Sequence, residues 1–512
     1  MPNNNKYNLV AENSQSTVVT EYTQDKKRAE HYQGEAELER AFIEQLKSQA
    51  YEYVALTSED DLVLNLRKQL EKLNDFVFTD SEWDQFFESE IANPNQSIAE
   101  KTTTIQEDYI KNLTHDDGTV KNVYLLKKDN IHDNCLQVVN QYATEDGKRA
   151  NRYDVTVLVN GLPLVHIELK RRGVAIQEAF NQINRYQRES FWASAGLFEY
   201  VQLFVISNGT HTKYYSNTTR SEHIKEASGS TAKKGKRSSN SFEFTSWWAD
   251  STNRPITDLM DFAKTFFAKH TLLNILTRYC VFTSDRQLLA MRPYQIVATE
   301  KILNRVEVST NYKKLGTVEA GGYIWHTTGS GKTLTSFKTA QLVSKLPYVE
   351  KVLFVVDRKD LDYQTMLEYD KFEKGAANSN TSTAILKRQL EDPNARIIIT
   401  TIQKLDHFIK RNKGHALFDE HVVLIFDEAH RSQFGDMHAG ITKTFKNYHL
   451  FGFTGTPIFA VNASSGGRID LKTTEQAFGD KLHTYTIVNA IADKNVLPFK
   501  VDYISTVHEA EN

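Results

Sequence analysis

The chain has 512 residues, 25% of them charged and 40% hydrophobic, with a formal net charge of −3. That is ordinary globular composition, with material for roughly two to four domains, and no run approaches the roughly 18 apolar residues of a membrane span. Near-neutral charge excludes nucleic-acid binding through a bulk basic field, and two well-separated cysteines, Cys135 and Cys280, fit a reducing cytosol without metal clusters.

Residues 1–30 are polar and without periodicity, which predicts a flexible lead-in, and the opening MPNNNKYNLV has no apolar core of a secretory signal. From Gly34, GEAELERAFIEQLKSQAY predicts an amphipathic helix with Leu38, Phe42 and Leu46 on one face. Glu37 and Glu39 could point into a site, but a solvated face is the plainer expectation. Residues 60–115 read as mostly helical. Strand signals take over at VKNVYLLKKDN and NCLQVVNQYAT.

NRYDVTVLVNGLPLVHIELKRR then presents two alternating runs about Asn160-Gly161, a hairpin signal. Val155, Val157 and Val159 share one face, with Asp154 and Thr156 opposite. Val165, Ile167 and Leu169 share another, with His166, Glu168 and Lys170 opposite. A strict two-residue turn would set Asp154 across from Ile167, a carboxylate on the apolar side. An odd-length loop or a bulge sets Asp154 across from Glu168. A one-residue slip flips every side chain, so burial selects the second register. Two carboxylates could then share a hard cation, and Lys170 could orient water or stabilise an oxyanion. The competing reading is a surface strand with ordinary Glu–Lys alternation.

GVAIQEAFNQINRYQRES predicts an amphipathic helix that sets Gln182 and Tyr186 on one face, and a strand follows at Tyr200–Ser207. Residues 226–241, EASGSTAKKGKRSSNS, read as a disordered basic loop, compatible with tracking a DNA backbone. Residues 253–280 read as a helical connection.

Arg292-Pro293-Tyr294-Gln295 opens a further helix. A glutamine amide offers a donor and an acceptor, which suits an adenine edge. Tyr323–Thr333, YIWHTTGSGKT, runs from an apolar strand through a glycine turn into a helix, as a phosphate-binding loop requires. Thr328, Gly329, Ser330 and Gly331 make the loop. Lys332 would reach the β- and γ-phosphates and Thr333 would hold Mg²⁺. His326 stands where the consensus has its first glycine. The apolar runs VLFVV, RIIIT and VVLIF each end in polar residues, the last in Asp427-Glu428-Ala429-His430, and Leu450–Phe453 leads into Thr454-Gly455-Thr456. Polar loops after parallel strands are where an open α/β sheet holds its ligand. Asp427 would complete the Mg²⁺ shell and Glu428 would polarise the attacking water. An ordinary helix cap is the alternative for these two acids.

The loop at His326–Thr333, the Asp427–His430 run and Thr454–Thr456 resemble the motifs of helicase superfamily 2, and Arg292–Gln295 resembles its adenine-reading motif. With Asp154, Glu168-x-Lys170 and Gln182-x-x-x-Tyr186 ahead of such a motor, the chain resembles the restriction (motor) subunit of type I restriction–modification enzymes. The likeness runs from about Gly34 to about Tyr503. It implies an α/β chain: an N-terminal mixed-sheet PD-(D/E)xK nuclease domain, then a RecA-like motor lobe with a doubly wound parallel sheet. It implies a cytoplasmic enzyme that uses ATP and Mg²⁺, pulls double-stranded DNA past itself and cuts at a distance. The implied partners are duplex DNA and the methyltransferase and specificity subunits, with no membrane. The resemblance makes Asp154, Glu168 and Lys170 catalytic, with Mg²⁺ on the two acids and support from Gln182 and Tyr186. It makes Glu428 catalytic in the motor. It assigns ATP to Arg292, Gln295, Thr328–Thr333, Asp427, Thr454 and Thr456, with the nucleotide's Mg²⁺ on Thr333 and Asp427.

The expected layout is a lead-in over 1–30, a nuclease domain over 31–260, a motor lobe over 261–470 and the start of a second lobe over 471–512. Family members are roughly twice as long, and no arginine-finger motif follows Thr456, so a fragment with slow ATP hydrolysis is expected. Two other readings stay open: an RNA helicase with an appended sheet domain, and a non-catalytic docking or DNA-binding module.

Overall fold

The computed structural model describes residues 16–23, 33–115, 117–144, 151–193, 195–217, 240–356, 367, 369, 382–427, 429, 436–462 and 472–494. In chain order, α1 (Glu35–Ser48) leads to β1 (Glu52–Tyr53), α2 (Glu59–Asn74), α3 (Asp80–Phe86) and α4 (Ile98–Gln106). An antiparallel pair, β2 (Ile110–Thr114) and β3 (Val120–Tyr124), precedes β4 (Leu136–Thr144), β5 (Asn151–Val159) and β6 (Leu162–Leu169). Then come α5 (Ile176–Glu189), β7 (Leu203–Ser207), β8 (Thr212–Ser216) and β9 (Ser246–Trp247). Local chemistry sets these bounds. In α2, the Ser58 hydroxyl accepts from Asp61 N–H and the Asp61 carboxylate accepts from Ser58 N–H, while left-handed Asp75 ends the helix.

The first sheet has the order β1-β4-β5-β6-β7-β8-β9 and is mixed. β1 and β4 run parallel, as do β6 and β7, and β5–β6 is an antiparallel hairpin. Its turn, Asn160-Gly161, has φ of 52° and 87°, the primed turn that matches strand twist. A Cβ on Gly161 would stand 2.6 Å from the Leu66 Cα, so α2 leaves room only for glycine. Val159 pairs with Leu162 and Leu158 with Pro163, but Val157 pairs with Val165. Leu164 is therefore the extra residue of a bulge, and the register expected from the apolar faces is restored beyond it. Every residue of β6 is buried, which removes the surface-strand reading.

α6 (Leu259–Phe266) and α7 (Lys269–Thr277) bury Phe262, Phe266 and Leu272 in the same core as this sheet. A short hairpin, β10 (Cys280–Phe282) and β11 (Leu288–Ala290), is tied to β8: the Tyr214 hydroxyl donates to the Met291 carbonyl and Ser216 Oγ donates to the Leu288 carbonyl. The first body thus reaches about residue 290, not 260 as expected, because the aromatic face of α6 needs the sheet to cover it.

The second body begins with α8 (Pro293–Asn311), β12 (Gly322–His326), α9 (Lys332–Val343) and β13 (Lys351–Val356). It continues through α10 (Thr383–Glu391), β14 (Ile397–Thr401), α11 (Ile402–Arg411), β15 (His421–Phe426) and α12 (Asp436–Thr444). β16 (Asn447–Thr454), α13 (Thr474–Phe478), β17 (Lys481–Tyr485) and α14 (Ile487–Ala492) complete it. Its sheet order is β14-β13-β15-β16-β12-β17, with every pairing parallel. Leu353 and Val355 enter one core while Val352 and Phe354 enter another, so the sheet is covered on both faces as a doubly wound fold requires.

Two further expectations are corrected. β17, expected within a second lobe, pairs with β12 and is the edge of this same sheet. Its lysine, histidine and threonine hide the apolar signal of a strand. Residues 16–23, expected in the flexible lead-in, pack down: Val18 is buried, and Thr17 N–H donates to the Glu300 carboxylate at 2.9 Å. The Tyr22 hydroxyl donates to Asp261 at 2.7 Å. The rest of the lead-in, most of the basic segment 226–241 and residues 495–512 lie outside the described residues. Among the described residues no helix is long and apolar enough to cross a membrane.

Candidate functional site

Beyond the bulge, Val155 pairs with Ile167, and continuing that register sets Asp154 across from Glu168. Asp154 Oδ2 accepts from the Leu169 N–H at 2.9 Å. Lys170 Nζ donates to Glu168 Oε1 at 3.0 Å and to the Leu169 carbonyl at 2.9 Å. Burial raises both carboxyls to about 7, helped at Asp154 by the Glu168 charge and opposed at both by Lys170. Desolvation alone would lower the Lys170 ammonium, but Glu168 and Asp154 outweigh it and hold the ammonium above its ordinary value. Among the described residues Glu168 Oε2 is buried without a hydrogen-bond partner, and it faces His166 Nε2 at 3.6 Å. Burial lowers His166 to about 4, so it is neutral at pH 7.

This donor set fits a hard divalent cation. Two converging carboxylates, one with an unpartnered oxygen, are each penalised for carrying charge, and a cation relieves that penalty. Among the described residues no three His, Cys, Asp or Glu side chains gather as a metal cluster. A carboxylate pair suits Mg²⁺, which keeps waters and takes phosphate oxygens.

α5 closes over this face. Gln182 Nε2 donates to the Tyr186 hydroxyl, which donates to the Arg152 carbonyl of β5 at 2.8 Å. Burial, with Glu168 nearby, pushes the Tyr186 hydroxyl well above its ordinary range, so it stays a donor. The sequence reading missed Glu35. Its charge reaches both Glu168 and Lys170. It is exposed in the first turn of α1, three residues before the buried Leu38, and that spacing was the available signal. Glu39 instead accepts from Asn140 and Gln141 and is structural.

In the second sheet, parallel pairing brings the ends of β12, β15 and β16 to one edge, with β16 in the middle. Gly329 and Gly331 have φ of 80° and 75°, and Gly331 caps α9, so Lys332 and Thr333 open that helix. Thr327 N–H donates to the Tyr485 carbonyl of β17 at 2.9 Å. The Tyr294 hydroxyl donates to the Ser330 carbonyl at 2.8 Å. Gln295 Nε2 donates to the same carbonyl at 3.1 Å, while its Oε1 accepts from Arg292 N–H at 2.9 Å. Gln295, expected to read adenine, is thus engaged with backbone at both ends. His326, the departure from consensus, is buried, with Nε2 2.9 Å from His483 Nδ1 of β17.

Asp427 follows β15 and donates its N–H to the Val355 carbonyl. Thr454 ends β16 beside Trp325, and Thr456 N–H donates to Thr454 Oγ1 at 3.1 Å. A Cβ on Gly455 would stand 3.5 Å from the Thr328 nitrogen, so this segment abuts the loop. Glu428 lies outside the described residues. A cavity of about 310 Å³ adjoins the loop, lined on this side by Arg292, Tyr294, Gln295, Gly329, Ser330 and Gly331.

Residues 32–223 match the family described as type I restriction enzyme R protein N terminus, and residues 294–512 match SWI2/SNF2 ATPase. The type I restriction enzyme SsaAORF53P endonuclease subunit of Staphylococcus saprophyticus is 43% identical over 492 residues, covering 94% of this chain and 48% of that protein. The SauMSSORF170P endonuclease subunit of Staphylococcus aureus is 42% identical over 484 residues, covering 93% and 48%. The EcoprrI endonuclease subunit of Escherichia coli is 48% identical over 307 residues, covering 60% of this chain and 93% of that protein. The chain spans about half the length of the two staphylococcal relatives.

Proposed function

From the premise that this chain belongs to the type I restriction enzyme endonuclease subunits, we propose that its first body cuts duplex DNA and its second binds ATP to drive translocation on that DNA. The observation that carries the reading is the cluster of buried Glu168 with half-buried Asp154 and Lys170, in a chain whose second sheet carries a glycine loop at its carboxyl edge.

Asp154 and Glu168 would hold Mg²⁺. The cation, when bound, activates water and stabilises charge on the phosphodiester. Lys170, fixed by Glu168 and the Leu169 carbonyl, keeps a positive charge where the attacking water or the oxyanion would lie. Gln182 and Tyr186 hold the start of β5, and with it Asp154. In the second body, the Thr328–Gly331 backbone and Lys332 would cradle the phosphates, with Thr333 and Asp427 on their Mg²⁺ and Glu428 on the attacking water. Thr454 and Thr456, at the end of the neighbouring strand, would face the same phosphates. Recognition of the DNA site and docking would fall to methyltransferase and specificity subunits.

The test separates the two bodies. In the assembled enzyme, Asp154→Ala should lower Mg²⁺-dependent cleavage of duplex DNA at least about 100-fold while ATP binding persists. Lys332→Ala should abolish ATP binding. Cleavage by Asp154→Ala at the wild-type rate would sink the assignment of the first body.

A further inference from the structure

The cavity beside the phosphate loop has a second wall, and that wall comes from the other body. Besides Arg292, Tyr294 and the loop glycines, the cavity's lining includes Tyr215 and Ser216 of β8, and Phe244 and Ser246. Its β8 part is fixed in place. Ser216 Oγ bonds the Leu288 carbonyl, Tyr214 bonds the Met291 carbonyl, and the Tyr215 ring packs 5.2 Å from both Phe180 and Phe204. Tyr215 is buried, yet among the described residues its hydroxyl has no hydrogen-bond partner. Phe244 is 57% exposed.

A single exposed phenylalanine needs no ligand to explain it. The position of this one does call for an account. One end of the cavity is a loop of backbone N–H groups and glycines, built for phosphate. The rest is largely aromatic and aliphatic, with Leu289 and Leu334 completing it. A ligand matching both ends carries phosphates and a flat ring. Gln295, the residue placed to read such a ring by hydrogen bonds, is engaged with the Ser330 and Gly331 carbonyls and the Arg292 N–H. Those bonds leave the Gln295 amide little freedom, and an exposed aromatic lining the cavity offers a flat ring a face to stack on.

We propose that Phe244 stacks on the base of the nucleotide whose phosphates occupy the loop, so that the first body supplies half of the base site. Bound nucleotide then bridges the nuclease sheet and the motor sheet. The inference rests on the phosphate-loop reading and adds to it the partner of the base.

Calorimetric titration of the 512-residue chain with Mg²⁺–ATP and with Mg²⁺–tripolyphosphate tests it, the second ligand having phosphates and no base. Phe244→Ala should weaken ATP about tenfold and leave tripolyphosphate unchanged, and Phe244→Tyr should restore ATP. Phe244 is largely exposed, so the alanine variant keeps the fold. Wild-type ATP affinity in Phe244→Ala, or equal loss of both ligands, would overturn the stacking role alone. A wild-type chain that binds neither ligand would overturn the phosphate-loop reading as well.

Discussion

Glu300, on α8, is partly buried and accepts from the Thr17 N–H at 2.9 and 3.1 Å and from the Tyr279 hydroxyl at 3.0 Å. Burial pushes its carboxyl from 4.5 up to about 7, although those hydrogen bonds pull the other way. Between these values the folded chain holds a proton that the unfolded chain has released. Stability from this group is therefore full below the unfolded value and falls as pH rises toward about 7. Urea unfolding at pH 5 and pH 8 should show that Glu300→Gln narrows the wild-type difference by at most on the order of 3 kcal/mol. An unchanged difference would mean that Glu300 ionises in the folded chain as it does in solution. At this scale the sequence was most legible where parity rules. Asp154 and Glu168 could be set on one face because side chains alternate and the valines had to be buried. Gln295 was not legible: only the fold shows that its amide meets the loop backbone instead of staying free.

Among the elements, the buried parallel strands were readable because they are continuous apolar runs, as in β13 and β15. β17 was not, because one edge strand with alternating polar residues looks like a linker. Yet β17 supports the loop. Tyr485 stacks on Tyr294 with ring centroids 3.7 Å apart, its carbonyl accepts from Thr327 N–H, and its hydroxyl donates to Asp493 at 2.7 Å. Tyr485→Ala should cost about 3–5 kcal/mol in urea unfolding and weaken ATP binding, since Tyr294 also holds the Ser330 carbonyl. Tyr485→Phe keeps the stack and should lose only the Asp493 bond, about 1 kcal/mol. Equal losses in the two variants would place the effect in the hydroxyl instead of the ring.

Across the whole molecule, the two sheets are not beads on a thread. Ile296 and Val297 of α8 lie in the core of the first body, while Ala298, Ile302 and Val306 lie in a core of the second. Residues 16–23 add a second tie, from Thr17 on Glu300 to Tyr22 on Asp261. Scanning calorimetry of the chain should accordingly give one transition, with equal calorimetric and van't Hoff enthalpies. Two resolved peaks would show that α8 does not couple the bodies. The domain boundary was the least legible feature of the sequence, because a helix rooted in two cores has no change of composition to mark it.

α8 has 19 residues, about 28 Å of continuous helix. Rooted at its start in one body and along its length in the other, it is a strut, not a hinge. If, as proposed, the second body reels in duplex and the first severs it, the chain would carry its blade at a fixed standoff from its grip. Load on the motor would reach the cutting sheet without slack, and variation in where the strand breaks would come from the path of the DNA, not from play in the tool.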